Sequence, residues 1–141
     1  MSATAQVAGK AFLECFCGAA VFTAALHVLP VPAIRPWDAV RGQKYNALVR
    51  GHILLSLALA GRAFAVHSGT PCQSLTLARW PQPRSWDHLL GLPSIAARQQ
   101  ELVGNGSALA LFAMRLSWAA APVGAYFGIE NPERPWFWAL P

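Results

Sequence analysis

The segment Val66-His67-Ser68-Gly69-Thr70-Pro71-Cys72-Gln73-Ser74 places a cysteine shortly after a predicted strand. The apolar run over residues 63–66 predicts the strand, and Gly69 and Pro71 predict the turn that ends it. Parallel α/β sheets carry their functional groups beyond the carboxyl ends of their strands. Cys72 is therefore either a reactive thiol at such an end or a small apolar residue of the core.

Along the rest of the chain, predicted strands and helices alternate. This alternation favours an α/β fold with a mostly parallel sheet flanked by helices. Strands are predicted at residues 11–16, 31–34 (an edge strand), 62–66 and 125–129. Helices are predicted at residues 21–28, 46–60 and 107–120, with a polar helical turn over 94–102 that ends near Gly104-Asn105-Gly106.

Composition limits the class of protein. The chain has 141 residues, of which 55% are hydrophobic and 12% charged, with a net charge of +5 that favours polyanionic partners. Residues 1–10 are small and polar and are predicted to be a disordered lead-in, and residues 11–141 are predicted to form one domain. The long apolar segments 11–31 and 107–128 each contain a charged residue, which disfavours a membrane span.

The cysteines indicate a reducing environment. Cys15, Cys17 and Cys72 do not make a disulfide framework, and no cysteine or histidine spacing is typical of a zinc site. We therefore expect no metal and an intracellular location, cytoplasmic or nuclear.

Residues 79–92 predict a loop, because prolines interrupt every regular pattern there. Trp80 and Trp86 alternate with Arg79 and Arg84 in this loop. Aromatic rings interleaved with arginine suit stacking on bases and contact with phosphates. The alternative is that both tryptophans cover an exposed edge of the core.

Acidic residues follow the predicted strands. Glu14 lies in the first strand, Asp38 follows the edge strand and Glu130 follows the last strand. A carboxylate inside a strand needs a partner or a ligand, which favours a functional site at this edge of the sheet. For Asp38 the simpler alternative is that it caps a helix.

Three segments resemble, in order, motifs of the DNA cytosine-5 methyltransferases. Phe12-Leu13-Glu14-Cys15-Phe16-Cys17-Gly18 resembles the first motif, in which a strand with an acid leads into Phe-x-Gly-x-Gly. Gly69-Thr70-Pro71-Cys72-Gln73-Ser74 resembles the Pro-Cys-Gln nucleophile loop. Phe127-Gly128-Ile129-Glu130-Asn131-Pro132 resembles the Glu-Asn-Val motif, with proline for valine. The resemblance implies a Rossmann-like fold of the S-adenosylmethionine-dependent methyltransferase type.

The resemblance also implies a reaction, methyl transfer from S-adenosyl-L-methionine to carbon 5 of cytosine in DNA. Cys72 would add to carbon 6 of a base that has left the helix, as a covalent nucleophile. Glu130 would hold the base, and Arg79 would contact a phosphate or stabilise the adduct. The implied cofactor-binding residues are Glu14, Phe16, Gly18, Asp38 and Pro71. The implied DNA-binding residues are Gln73, Ser74, Arg79, Trp80 and Arg84.

Two departures from the family pattern bear on activity. Ala20 stands among the positions of the later glycines, where its methyl group meets the cofactor. The family's later motifs have no counterpart after Glu130, so we expect a divergent, C-terminally truncated fragment with an exposed aromatic end at residues 136–138. A partner chain or the missing C-terminal region would complete this partial catalytic domain. The alternatives are a non-catalytic nucleic-acid-binding or interaction domain and, third, a small membrane protein.

Overall fold

A computed structural model of the chain describes residues 9–29, 31–131 and 136–141. The strands are β1 (Ala11–Cys15), β2 (Ala63–Gly69) and β3 (Tyr126–Glu130). The α-helices are α1 (Val21–Leu26), α2 (Ala47–Arg50), α3 (His52–Leu59) and α4 (Ala97–Ala120). Short 3₁₀ helices lie at Ala39–Arg41, Gln43–Tyr45, Ala121–Val123 and Trp136–Ala139. Of the predicted lead-in, residues 1–8 lie outside the described residues.

The strands form one parallel sheet in the order β1-β2-β3. Cys15 pairs with Ser68 at one side of β2, and Glu130 pairs with Gly69 at the other. This confirms a parallel sheet with flanking helices, as α/β folds have, and three of the four predicted strands and the first helix lie where the patterns indicated.

The predicted edge strand is present as an extended segment rather than a regular strand. It runs parallel to β1, with Phe12 N donating to Pro32 O (2.8 Å) and Trp37 N donating to Glu14 O (2.8 Å). Pro32 and Pro36 have no N–H group to donate, which keeps this segment from forming a continuous ladder.

The chain divides into two compact units. The first consists of Met1–Gly69 and Phe112–Glu130, and the second of Thr70–Leu111 and Asn131–Pro141. Helix α4 therefore contributes to the second unit up to Leu111 and to the first from Phe112. This division does not test whether residues 11–141 form one domain, so that statement stays a prediction.

The first unit has its core between the sheet and helices α2, α3 and the later part of α4. Its buried members include Leu13, Val66, Leu54 and Leu116. The predicted helix over residues 46–60 is divided at Gly51, where a Cβ would lie 2.3 Å from a ring carbon of Phe112. The close approach of this ring accounts for glycine at that position.

Helix α4 corrects the prediction for residues 94–120. The helix passes without interruption through Gly104-Asn105-Gly106, where the sequence predicted an end. A Cβ on Gly106 would lie 2.2 Å from Ser74 Oγ, so this glycine permits close packing within the second unit and does not end a helix. The predicted loop over residues 79–92 is confirmed, since no helix or named strand lies between β2 and α4.

The aromatic end of the chain was predicted to be exposed, and for two of its rings this is wrong. Trp136 is 6% exposed and Phe137 is 1% exposed. Trp136 N donates to Leu75 O (2.9 Å), and its ring Nε1 donates to Gln82 Oε1 (3.1 Å). Within the second unit, these two bonds join Trp136 to Leu75 and to Gln82, which lies in the predicted loop over residues 79–92.

Within the described residues, Ala97–Val123 is the one helical segment with the length and apolar composition to cross a membrane. Core helices of soluble proteins have the same character, so this segment does not decide between the alternatives. The membrane alternative stays a prediction.

Candidate functional site

The order of the strands identifies one crevice. From β1 the chain passes to the extended segment on one side of β1, and then returns to form β2 on the other side. In α/β sheets ligands bind where the chain reverses direction in this way, beyond the carboxyl ends of the two strands. The loop over residues 16–20 and the end of β2 at Gly69 lie at those ends.

The loop after β1 has unusual backbone conformations. Phe16 and Ala20 have φ angles of 55° and 57°, and Gly18 has a φ of 48°. Residues other than glycine rarely adopt this left-handed region of φ, and those that do cluster at functional sites. No atom of the described residues lies within 4 Å of a Cβ placed on Gly18, so the turn faces open space.

Asp38 and Arg41 hold this loop. The backbone N–H of Gly18 donates to Asp38 Oδ2 (2.9 Å), and Arg41 Nη2 donates to the Gly18 carbonyl (3.1 Å). Asp38 Oδ1 accepts from Val40 N (3.1 Å), which confirms the capping role. Because each carboxylate oxygen can accept two hydrogen bonds, Asp38 keeps the capacity for a further donor.

Glu14 has its partner inside the chain. The side chain is 2% exposed, and its Oε2 accepts hydrogen bonds from the backbone N–H of Thr23 (2.8 Å) and from the Thr23 hydroxyl. Sequence reasoning missed Thr23, although a hydroxyl in the first turn of a predicted helix is a signal for such a partner. The carboxylate in the strand therefore fixes the start of α1.

Of the three free cysteines, Cys15 directly precedes this loop and Cys17 lies within it. Cys15 is fully buried, and burial raises the pKa of its thiol. Burial also raises the pKa of Cys17, while a hydrogen bond and the positive charge of Arg41 oppose that effect. Cys15 is therefore a buried thiol of the core, whereas Cys17 is half-buried.

Glu130 is the last residue of β3. A Cβ on Gly69, its register partner, would lie 3.1 Å from the Phe16 carbonyl and 4.0 Å from Glu130 Oε2. Glycine at position 69 therefore permits the loop after β1 to approach β2 closely. The sequence predicted Gly69 only as a turn residue.

In the second unit, Cys72 begins a helical turn. Its carbonyl accepts hydrogen bonds from Leu75 N and Thr76 N (2.9 Å each), and its thiol is half-buried. Of its neighbours, Pro71 and Gln73 are exposed and Ser74 is buried. Trp80 is 88% exposed, so it does not cover the core as the alternative for this loop proposed.

Arg84 was predicted to contact DNA, and its placement corrects this expectation. The side chain is 2% exposed, and burial lowers its pKa to about 10. It donates to the Ser74 carbonyl (2.6 Å), Ser74 Oγ (3.1 Å), the Val103 carbonyl (2.9 Å), Ser107 Oγ (3.1 Å) and the Leu89 carbonyl. A guanidinium with these partners has no donor left for a phosphate, and Ser74 is held in the same network.

Two clefts adjoin the Cys72 segment within the second unit. The larger, of about 440 Å³, is lined by Gln73, Arg79 and residues of the first turns of α4. The smaller, of about 190 Å³, is lined by Pro71, Gln73 and Ser74 and by the next turns of α4. The predicted residues Pro71, Gln73 and Arg79 therefore border neighbouring clefts.

Several buried polar atoms near the strand ends have no partner among the described residues. They are Ser68 Oγ in β2, Thr70 Oγ1 directly after β2 and Asn131 Oδ1 directly after β3. Within the second unit, Asn131 Nδ2 donates to the Thr70 carbonyl (3.4 Å). Buried polar atoms in proteins are nearly always paired, so unpaired ones indicate a ligand or ordered water.

In the part of the chain that the structure describes, no group of three or more His, Cys, Asp or Glu side chains is arranged to hold a metal ion. The fold and site define a chain with a small parallel α/β sheet and polar loops at its strand ends. No protein-family model, curated protein or solved structure matches it.

Proposed function

We propose that the chain is a methyltransferase-type domain of Rossmann-like fold that transfers a methyl group from S-adenosyl-L-methionine to carbon 5 of cytosine in DNA. One observation carries the proposal: along the chain, each of the three motif-like segments includes the last residue of a strand of one parallel sheet. The Gly18 loop follows β1, Cys72 follows β2 by three residues, and Glu130 ends β3. Unrelated motif matches would be distributed over helices, strands and loops without this regularity.

The residues at the first strand end fit the cofactor. Gly18 faces open space, and Asp38 retains acceptor capacity for a ribose hydroxyl while it holds the turn. Phe16 lies in the same loop, and the unpaired Ser68 Oγ lies near the carboxyl end of the neighbouring strand. Glu14 would act indirectly, because its carboxylate accepts from Thr23 at the start of α1. The bound cofactor supplies an electrophilic methyl group on a sulfonium.

The chemistry requires a nucleophile, because carbon 5 of cytosine attacks a methyl group poorly. The Cys72 thiolate would form a bond to carbon 6, which makes carbon 5 enamine-like and able to take the methyl group. Carbon 5 would take the methyl group from the sulfonium, which would leave as the neutral thioether S-adenosylhomocysteine. A base from solvent would then take the proton from carbon 5, the bond between sulfur and carbon 6 would break to release the thiolate, and the double bond would return. Glu130 would hold the ring nitrogen and exocyclic amine of the base and stabilise the adduct.

Covalent trapping tests this proposal. A DNA duplex with 5-fluorocytosine at candidate sites is incubated with the chain and S-adenosylmethionine. Fluorine on carbon 5 prevents loss of a proton, so the adduct with Cys72 persists and migrates as a protein–DNA complex in a denaturing gel. We expect the complex to require the cofactor, to disappear in Cys72→Ala and to persist in the matched control Cys17→Ala.

Cofactor affinity separates the proposal from its alternatives. We expect calorimetry to detect S-adenosylmethionine binding at or below millimolar concentration, with weaker binding in Asp38→Ala. Failure to bind at that concentration, or a complex that survives Cys72→Ala, counts against methyl transfer. DNA binding without cofactor binding would instead support the non-catalytic nucleic-acid-binding alternative, to which the exposed ring of Trp80 is suited.

A further inference from the structure

The larger cleft of the second unit contains two unpaired cationic side chains. Arg79 comes from the loop segment and Arg98 from the first turn of α4, and both line the same space of about 440 Å³. No described residue accepts a hydrogen bond from either guanidinium. Nε of Arg79 is shielded from solvent and still has no partner.

For Arg79 this arrangement is unfavourable unless a ligand is bound, because a buried donor without a partner has lost its hydrogen bonds to water. Arg98 is exposed, so its guanidinium is in contact with solvent at the same cleft. Arg84 is the buried arginine of the same unit, and each of its donors has an acceptor in the chain. The second unit therefore provides acceptors for one arginine and none for Arg79 Nε among the described residues. Since none of the described residues occupies the donors of Arg79 and Arg98, these donors are available to an oxyanion from outside the chain.

The other lining residues indicate which oxyanion. Asn105 lies two turns along α4 from Arg98, on the same face of the helix, and Gln73 lines the same cleft. Amide groups can donate hydrogen bonds without adding charge, while guanidinium groups bind phosphate with two parallel bonds each. Glu101 also lines the cleft, and its carboxylate opposes an anion.

We propose that this cleft binds a phosphate group through Arg79 and Arg98, with Gln73 and Asn105 as neutral donors. The phosphate belongs either to a nucleic-acid backbone or to a small phosphorylated molecule. The site does not require Cys72 or the cofactor, because neither Cys72 nor a proposed cofactor-binding residue lines the cleft. Arg98 and Asn105 also lie outside the three motif-like segments, whereas Gln73 and Arg79 are residues for which the resemblance already implies DNA binding.

Titration with two probes tests the site: inorganic pyrophosphate, and a single-stranded oligothymidylate of about 20 nucleotides. Affinity is measured by calorimetry at low salt. We expect Arg79→Gln and Arg98→Gln each to weaken binding about tenfold, and Glu101→Gln to strengthen it severalfold. Arg115→Gln is the matched control, since Arg115 is an exposed arginine of the same helix and its loss removes the same charge.

The outcomes are distinct. Binding of pyrophosphate that depends on both arginines supports a small phosphorylated ligand. Binding of the oligonucleotide alone, with a salt dependence that decreases by about one phosphate contact in each arginine variant, supports a nucleic-acid backbone. Equal losses in Arg115→Gln, or no binding of either probe by a folded chain, overturn the proposal. Covalent trapping tests Cys72, and pyrophosphate binding tests the cleft. Either experiment can contradict its own proposal while the other proposal stands.

Discussion

Glu14 and Thr23 are joined by two hydrogen bonds, one from the backbone N–H and one from the hydroxyl, both to Glu14 Oε2. This pair connects the middle of β1 to the first turn of α1 in the interior of the first unit. We expect Glu14→Ala to lower the free energy of unfolding by about 3 kcal/mol, because it removes a charged acceptor and leaves buried donors unpaired. Urea denaturation followed by tryptophan fluorescence measures the loss.

Two further variants separate the pair from general effects of substitution. Thr23→Val keeps the backbone bond and should cost about 1 kcal/mol. Glu101→Ala removes an exposed carboxylate and should change stability by less than about 0.5 kcal/mol. If Glu14→Ala is as mild as Glu101→Ala, the interior pair does not stabilise the fold.

Gly104 and Gly106, both within α4, should respond to the same substitution with opposite sign. A Cβ on Gly104 meets nothing within 4 Å, so Gly104→Ala should stabilise the chain by about 0.5–1 kcal/mol through helix propensity. A Cβ on Gly106 would lie 2.2 Å from Ser74 Oγ and 3.6 Å from Arg84 Nη2, so Gly106→Ala should destabilise by about 1–3 kcal/mol. Thermal unfolding by circular dichroism checks both, and changes of equal sign would contradict the packing described.

Cys17 should show a thiol pKa that depends on Arg41. Burial raises this pKa above its ordinary value, and Arg41 opposes the rise. Removing the guanidinium in Arg41→Gln should therefore raise the pKa further. The pKa is obtained from the pH profile of Cys17 alkylation by iodoacetamide, with modified peptides quantified by mass spectrometry.

The sign of the linked stability effect follows from the same shift. An acid whose pKa is raised by folding binds its proton more tightly in the folded chain, so stability falls as pH rises above the ordinary thiol pKa. Cys15 serves as the reference for a buried thiol and should not react in the native state. A lower pKa for Cys17 in Arg41→Gln would show that the guanidinium does not stabilise the thiolate.

Local patterns were sufficient for the strands and for the first helix. Short apolar runs bounded by Gly and Pro predicted β1, β2 and β3, because consecutive apolar residues are typical of strands in parallel sheets. β3 is nevertheless largely exposed, with Tyr126 82% exposed and Phe127 53% exposed. The same reasoning failed at Gly106, where glycine reflects a contact with a distant loop. Helix propensity describes a residue and its neighbours in sequence, so it does not report such contacts.

The candidate site was predicted in its residue types more than in their roles. Glu14 was singled out as an acid that needs a partner or a ligand, and its partner is Thr23 of the same chain. For Asp38 the alternative of a helix cap is confirmed. The composition of the loop segment could not distinguish Arg79, which lines a cleft, from Arg84, which is internal. Which arginine enters the interior depends on where acceptors lie in three dimensions.

Arg84 has a consequence for the response of the second unit to solution conditions. Its partners among the described residues are three carbonyl oxygens and two hydroxyls, none of which titrates. Acid protonates carboxylates and salt screens ion pairs, but neither removes a carbonyl oxygen from a guanidinium. The interior of this unit is therefore built around a permanent cation whose attachments are tolerant of both acidity and ionic strength.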